Sequence, residues 1–302
     1  MGPLKKISFL SEYCIFRILA FLLRLIPLKM SYKIANGFGI LVARVFRIRR
    51  RVMLENLRLA FGNEKSTAEL ERIAEASMAN LFKLACEFVR TVPAGKSPER
   101  FIEIPEMGEF LGWMKKEKGA IAIVSHFANW EWLSIPIKPF GFFTNAVGRP
   151  LKNPFAYKYI RRLREAANLK NIEKSGAVRD SIAALRRREI VAVLIDQHER
   201  RGAVWVDFFG RKASTSTLPA VLALKYGVPV FPAFFYRNEN GRSFVKYGPE
   251  FPLIKTGDLR ADVLANTQQY VRKIEEEIRK RPGDWLWAHR RWRVPPADVV
   301  AK

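Results

Sequence analysis

The chain opens on a nearly unbroken apolar run. Ile7 to Leu28 reads ISFLSEYCIFRILAFLLRLIPL, enough for the roughly 20 residues that a bilayer-spanning helix needs. It also carries Glu12, Arg17 and Arg24, and charge at bilayer depth is costly. Arg17 and Arg24 share a helix face, so the segment suits a helix lying in the interface with its arginines toward phosphates. Lys5 and Lys6 precede the run and no small-residue cleavage site follows, the look of a retained anchor rather than a removed signal peptide. A buried core helix is the plainer alternative. Helical patterning continues from Ser31 to Val45 and meets Arg47-Ile48-Arg49-Arg50-Arg51, a cluster that suits lipid headgroups or a solvated basic turn equally. In Thr67 to Arg90 the apolar positions Leu70, Ile73, Ala74, Met78, Leu81, Leu84 and Ala85 follow the 3.6-residue period of an amphipathic helix. Pro93, Gly95 and Pro98 are expected to end it.

From about residue 101 the pattern changes to alternating strands and helices, which predicts a mainly parallel central sheet flanked by helices. Ala120 to Val124 is a short apolar run suited to a buried strand, and Asn145 to Arg149 reads as the end of a second. Ala156, Ile160, Leu163 and Ala167 form one helical stripe with Lys158, Arg161 and Arg162 opposite. Ala177 to Arg188 is another helix. Ile190 to Ile195 is a strand that delivers Asp196 at its end. Thr217 and Pro219 suit the start of a helix that Gly227 stops. Val228–Tyr236 and Ser243–Tyr247 read as strands joined through Asn240-Gly241, a hairpin signal. Ala261 to Lys280 is the last helix, stopped by Pro282-Gly283. Two regions result: residues 1–45 as a membrane-anchoring helical segment, and 46–302 as one α/β domain.

Composition changes the picture in one respect. Lys plus Arg number 53 against 29 Asp plus Glu, a formal net charge of +24, which attracts a polyanion: nucleic acid, an anionic lipid surface or an acidic protein. Cys14 and Cys86 are isolated, with neither CxxC nor metal-ligand spacing, so no metal site or disulfide framework is expected.

The candidate chemistry lies in Ser125-His126-Phe127-Ala128-Asn129-Trp130-Glu131. His126 follows a predicted strand, and ligands in open α/β sheets bind beyond the carboxyl ends of strands. Asn129 suits the cap of a helix beginning at Trp130. On a regular helix His126 and Glu131 would point about 140° apart. Pairing them requires His126 on the loop and Glu131 in the first turn. An alcohol loses its proton only as the new bond forms, so it needs a base, and histidine supplies one. A carboxylate beside it fixes the tautomer and stabilises the imidazolium. With an activated thioester as donor no covalent enzyme intermediate is needed, and the chain has neither a G-x-S-x-G elbow nor a cysteine close to a histidine.

Taken in order, Arg51 to Phe61 (RVMLENLRLAF), Ser125 to Glu131, Gly148-Arg149-Pro150, Asp196-Gln197, Val206 to Gly210, Ser216-Thr217, Pro219-Ala220 and Asp284 to Trp292 (DWLWAHRRW) resemble the lipid A late acyltransferases and the related phosphatidylinositol mannoside acyltransferases. The resemblance implies a glycerolipid-acyltransferase-like fold and a bacterial enzyme at the cytoplasmic face of the inner membrane. It would move a fatty acyl group from acyl carrier protein or coenzyme A to a hydroxyl of a membrane glycolipid, with no further cofactor. It places the catalytic pair on His126 and Glu131, assigns Arg149 to a phosphate of donor or acceptor, and gives the Asp196-Gln197 position to substrate orientation or, for Asp196, to electrostatic support of the site. His198-Glu199-Arg200-Arg201 departs from the usual pattern after Asp-Gln, which bears on the acceptor headgroup. Gly210 suits a tight turn near the site, and Arg211 after it a phosphate contact.

His198 and His289 read as structural or surface groups. Trp285, Trp287 and Trp292, interleaved with arginines, suit a bilayer interface or nucleic acid; the apolar N-terminus favours the membrane, and no nucleic acid is expected. The alternatives are an enzyme acylating a lysophospholipid or aminolipid, and a nonenzymatic basic protein that binds membrane or nucleic acid.

Overall fold

The computed structural model describes residues 2–62, 64–103, 110, 112, 114, 119–238 and 242–293. The N-terminal part is helical: α1 (Pro3–Leu25), α2 (Leu28–Leu41), α3 (Arg50–Phe61), α4 (Thr67–Phe88) and a short α5 (Thr91–Lys96). Ser66 and Glu69 close a reciprocal capping box at the start of α4, satisfying donors that a helix start leaves free. The α4 helix stops earlier than Pro93 and Gly95 suggested, and those residues instead form α5, because proline is tolerated in a first turn.

No helix among the described residues is long and apolar enough to cross a membrane. Ala20 is the single buried residue of α1, whereas Leu4, Ile7, Ile15, Ile18, Phe21 and Leu25 are exposed. The α2 helix is bound to the body. Gly39 packs so closely on α4 that a Cβ there would lie 2.3 Å from the Ala79 Cα. The buried guanidinium of Arg90 donates to the carbonyls of Leu23, Ile26 (2.6 Å) and Cys86 (2.5 Å) and to the Ser31 hydroxyl (3.0 Å), collecting carbonyls that the end of α1 leaves without partners. Beyond α2 the chain makes a π turn, Val42–Phe46, then passes through left-handed Arg47 and Arg49, leaving Val45, Phe46 and Ile48 exposed.

The rest is α/β: β1 (Ile102–Glu103), β2 (Ala120–Val124), β3 (Thr144–Gly148), α6 (Pro154–Ala166), β4 (Leu169–Glu173), α7 (Ala177–Arg186), β5 (Ile190–Leu194), β6 (Ala203–Phe208), β7 (Arg211–Ser216), α8 (Leu218–Tyr226), β8 (Val230–Arg237), β9 (Ser243–Tyr247) and α9 (Leu259–Lys280). Seven strands form one sheet in the order β1-β9-β8-β2-β5-β3-β4. From β8 to β4 all neighbours run parallel, and β9 returns antiparallel to β8. The Asn240-Gly241 turn lies outside the described residues. All five residues of β2 are buried, as its apolar run predicts for a strand covered on both faces. Asn153 caps α6 by accepting from the N–H groups of Phe155 and Ala156, and its amide nitrogen reaches the Phe9 carbonyl of α1 at 2.7 Å. Thr217 stands at the N-cap position of α8 and Gly227 at its end, as expected, but the Thr217 side chain makes no cap bond; its hydroxyl donates to the Gly202 carbonyl at 3.0 Å.

Candidate functional site

Register brings the central residues together. β2 and β5 pair in parallel with Ala120 opposite Ile190 and Val124 opposite Leu194. Two residues past each strand end, His126 and Asp196 therefore emerge side by side, one strand spacing of roughly 4.8 Å apart. Asp196 is 2% exposed and holds His126 twice. Oδ2 accepts the His126 backbone N–H at 2.7 Å, and Oδ1 is 2.8 Å from Nδ1. The indole N–H of Trp285 donates to Oδ2 at 2.7 Å. Burial by itself would raise the Asp196 pKa, but the His126 charge, its two hydrogen bonds and the indole outweigh burial and hold the carboxyl below its ordinary value.

With its proton on Nδ1, toward Asp196, the ring has its lone pair on Nε2, where the Gln197 amide nitrogen lies at 3.1 Å. Gln197 thus occupies the position beside that lone pair. Trp130 packs edge-on against the ring with centroids 4.7 Å apart.

The loop is stitched from behind. Ala128 donates to the Asp284 carbonyl at 2.8 Å, and Leu286 donates to the His126 carbonyl at 3.0 Å. Ala128 accordingly takes φ 47°, a left-handed conformation that costs a non-glycine residue on the order of 1–3 kcal/mol and recurs at functional sites.

Glu131 is in a turn of 3₁₀ helix, Trp130–Trp132, with His126 on the preceding loop. The expected His126–Glu131 pair does not form. Arg164 of α6 grips Glu131 at both oxygens, Nε to Oε2 at 2.7 Å and a terminal nitrogen to Oε1 at 2.6 Å, and bonds Asn171 with its other terminal nitrogen at 2.7 Å. The guanidinium takes one acceptor site on each oxygen, and the His126 ring turns its Nδ1 to Asp196 instead. Asn129 makes no cap bond.

The carboxyl ends of β2, β3, β4 and β5 line up on one cleft of about 620 Å³, within the roughly 300–1,000 Å³ of small-molecule sites. His126 and Gln197 line it, together with Arg149 beyond β3 and Lys174 beyond β4. Arg200, Arg201 and Arg293 add positive charge, and Val147, Val178, Val193, Leu194, Leu218 and Val221 provide an apolar wall. Among the described residues its one carboxylate, Glu199, is engaged by Lys174 and by the Arg200 N–H at 2.8 Å.

Three placements differ from expectation. Gly210 and Arg211 do not line the cleft. Residues 203–208 and 211–216 form an antiparallel hairpin whose open end, Gly202 and Ser216, meets the cleft. Its tip, left-handed Phe209 and Gly210, lies some six residues, about 20 Å, away. Arg211 there donates to the Leu59 carbonyl at 3.1 Å. Trp285 and Trp287 are not at a surface: they are 1% and 0% exposed and pack edge to face at 4.6 Å, with Trp292 stacked on Phe208 at 5.4 Å. His198 and His289 line the cleft rather than standing apart from it. Burial and the charges of Arg293, Arg291 and Arg200 lower the His198 pKa. A residue the sequence did not single out, Arg291, is 1% exposed. It donates to the carbonyls of Gln197 (3.2 Å) and Ser214 (2.5 Å) and to the Thr215 hydroxyl (2.6 Å). It fastens the Asp196-Gln197 segment to the hairpin, and burial pushes its pKa down to about 10.

Residues 2–294 match the family described as bacterial lipid A biosynthesis acyltransferase. The chain belongs to this family. It is 24% identical over 290 residues to the lipid A biosynthesis lauroyltransferase of Escherichia coli, covering 92% of this chain and 90% of that one. It is 26% identical over 189 residues to the phosphatidylinositol mannoside acyltransferase of Mycolicibacterium smegmatis; the match takes in 60% of this chain and spans 59% of that protein's length. The solved 1-acyl-sn-glycerophosphate acyltransferase PlsC of Thermotoga maritima aligns over 82% of this chain and 98% of its own, at 16% identity and a TM-score of 0.34, a likeness too slight to build on. In this chain, the mainly parallel sheet and the cleft at its carboxyl edge are the frame that positions these residues.

Proposed function

We propose that the protein transfers a fatty acyl group from an acyl thioester, of acyl carrier protein or coenzyme A, to a hydroxyl of a membrane glycolipid such as a lipid A precursor. One observation carries this reading: an imidazole aligned by a buried carboxylate opens onto a cleft with an apolar wall and a cationic rim. The wall suits an acyl chain, and Arg149, Arg200, Arg201 and Arg293 suit phosphates, whether on the acceptor or on the donor.

In the proposed step the acceptor hydroxyl displaces the Gln197 amide from His126 Nε2. Its oxygen attacks the thioester carbonyl as its proton passes to Nε2, and Asp196 stabilises the imidazolium. The C–O bond forms, the C–S bond breaks, and the thiolate leaves with the proton from the imidazolium. Glu131, held by Arg164, keeps the turn after His126 in place.

Membrane approach is part of the proposal. The exposed apolar residues of α1 and α2 and those of the Val45–Ile48 turn, flanked by Arg47, Arg49 and Arg51, suit a surface lying in the headgroup region of an anionic leaflet. The bacterial inner membrane, at its cytoplasmic face, is the expected location.

The test is acyl transfer from a dodecanoyl thioester to a lipid A precursor by the wild type and by His126→Ala. Loss of the general base should cost on the order of 10²- to 10⁴-fold. Full activity in a folded His126→Ala protein would reject the mechanism. Lipid A lacking an acyl chain in a deletion strain supports the acceptor; an unchanged lipid A profile beside an altered phospholipid or aminolipid would move the acceptor to that class.

A further inference from the structure

Resting on the acyl-transfer reading above, we infer that His289 is the oxyanion donor of the site: its Nε2–H hydrogen-bonds the thioester carbonyl oxygen as that oxygen takes on charge. His289 lines the same cleft as His126 and belongs to the segment wrapped around the catalytic loop. Leu286 donates to the His126 carbonyl, and Trp285 to Asp196. The His289 backbone is pinned, since the Asn56 amide nitrogen donates to the carbonyls of Trp287 at 2.8 Å and His289 at 2.6 Å. A donor fixed beforehand loses no energy to reorganisation during the reaction, which is where electrostatic stabilisation of a transition state comes from.

The proton's place follows from burial. Nδ1 of His289 is sealed inside without a partner, so Nε2 is the ring nitrogen that meets the cleft. An orphaned buried N–H is harder to tolerate than an orphaned lone pair, which puts the proton of the neutral ring on Nε2. Burial first, then the charges of His126, Arg291 and Arg293, outweigh Asp196 and push the His289 pKa down to about 4. The ring is therefore neutral when it donates. It does not compete with His126 for the hydroxyl proton, and a neutral imidazole can polarise a carbonyl.

In the addition step the acceptor oxygen bonds to the carbonyl carbon, its proton goes to His126 Nε2, and the carbonyl π electrons move to the oxygen facing His289. On collapse the electrons return, the C–S bond breaks, and the thiolate takes the proton from His126. His289 keeps its own proton throughout, so a side chain that only donates can replace it.

The experiment compares wild type, His289→Leu, His289→Gln and His126→Ala as full-length proteins, with dodecanoyl-coenzyme A and dodecanoyl-acyl carrier protein as donors and a lipid A precursor as acceptor. His289→Leu should lose about 10²- to 10³-fold in kcat, with KM for both substrates and the melting temperature nearly unchanged. His289→Gln restores an N–H near the Nε2 position and should recover to within roughly tenfold of wild type. A trifluoromethyl ketone analogue of dodecanoyl-coenzyme A, which hydrates to a tetrahedral adduct, should bind His289→Leu on the order of 100-fold more weakly, while a dodecyl thioether binds both proteins alike. Wild-type kcat in His289→Leu beside an inactive His126→Ala overturns this inference alone, as does a loss confined to KM or shared equally by the leucine and glutamine variants. Activity surviving in His126→Ala overturns the acyl-transfer mechanism beneath it.

Discussion

Asp196 and Glu131 are both acidic, both nearly buried and both close to His126 in the fold, yet they meet opposite partners. Asp196 faces an imidazole, a side chain able to exchange a proton; Glu131 faces a guanidinium, which keeps its charge. A carboxylate against a titratable ring changes the energy of proton transfer. A carboxylate against a permanent cation is a structural joint, here between the turn after His126 and α6. In this chain, sequence proximity points to the joint, and sheet register points to the carboxylate that holds the imidazole.

The widest separation of the two should come from removing charge while keeping shape. Asp196→Asn lets an amide oxygen accept from the His126 backbone and from Trp285, but turns an NH₂ toward Nδ1. That forces the ring proton onto Nε2 and removes the lone pair a general base needs. We expect kcat to fall by about 10³- to 10⁴-fold, with KM little changed. If Glu131→Gln fell as far while Asp196→Asn stayed within tenfold of wild type, the assignment of the two carboxylates would have to be reversed.

The next effect is on stability and belongs to the other carboxylate. Glu131→Ala leaves the Arg164 guanidinium without its carboxylate at a site only partly open to solvent. Removing one partner of such a pair costs roughly 3 kcal/mol. Chemical denaturation should show that loss, and Arg164→Ala should show a similar one. The double variant should lose less than the sum. Folded Glu131→Ala, assayed well below its melting temperature, should keep kcat within about tenfold of wild type, since an interaction absent from the reacting atoms leaves the barrier largely alone.

A smaller step tests the indole. Trp285→Phe keeps the ring packing against Trp287 and Phe208 but removes one of the three hydrogen bonds on Asp196. A bond to a charged group contributes about 1.5 kcal/mol, so kcat should drop roughly tenfold, by loosening of the carboxylate that orients His126. A KM effect with unchanged kcat would place Trp285 in substrate binding instead.

Much of this frame was legible in the chain. The apolar runs Ala120–Val124 and Ile190–Leu194 name buried strands by composition alone, and the periodicity of α4 names its buried face. His126 could be placed beyond a strand end for the same reason. Its partner could not, because the nearness of Asp196 depends on β2 and β5 being neighbours in the sheet, and strand order leaves no local trace. Residues 169–173 carry Lys170 and Asn171 between apolar positions, and residues 211–216 (RKASTS) hold one apolar side chain. Neither shows the alternation that marks a strand, so neither β4 nor the second strand of the hairpin is legible in the sequence, and chain order alone does not show that Gly210 and Arg211 lie at the hairpin tip away from the cleft. The Trp-rich C-terminus failed for a different reason. Aromatics mixed with arginines suit a membrane surface and equally a core in which a buried arginine bonds carbonyls and a hydroxyl, as Arg291 does. Composition does not separate the two; partners do.

The smallest expected effect lies in acid. Asp196 has a folded-state pKa below the ordinary 3.8. Its charged form therefore adds stability that is fully present above 3.8 and is lost as pH falls through the lower, folded value. Asp196→Asn has no such proton to take up. Denaturation midpoints measured from pH 6 downward should thus fall more steeply for wild type than for the variant once pH drops below about 3.8. Parallel curves for the two proteins over that range would mean that Asp196 binds its proton equally in the folded and unfolded chains. That would remove the electrostatic contrast between the carboxylate on the imidazole and the one on the guanidinium.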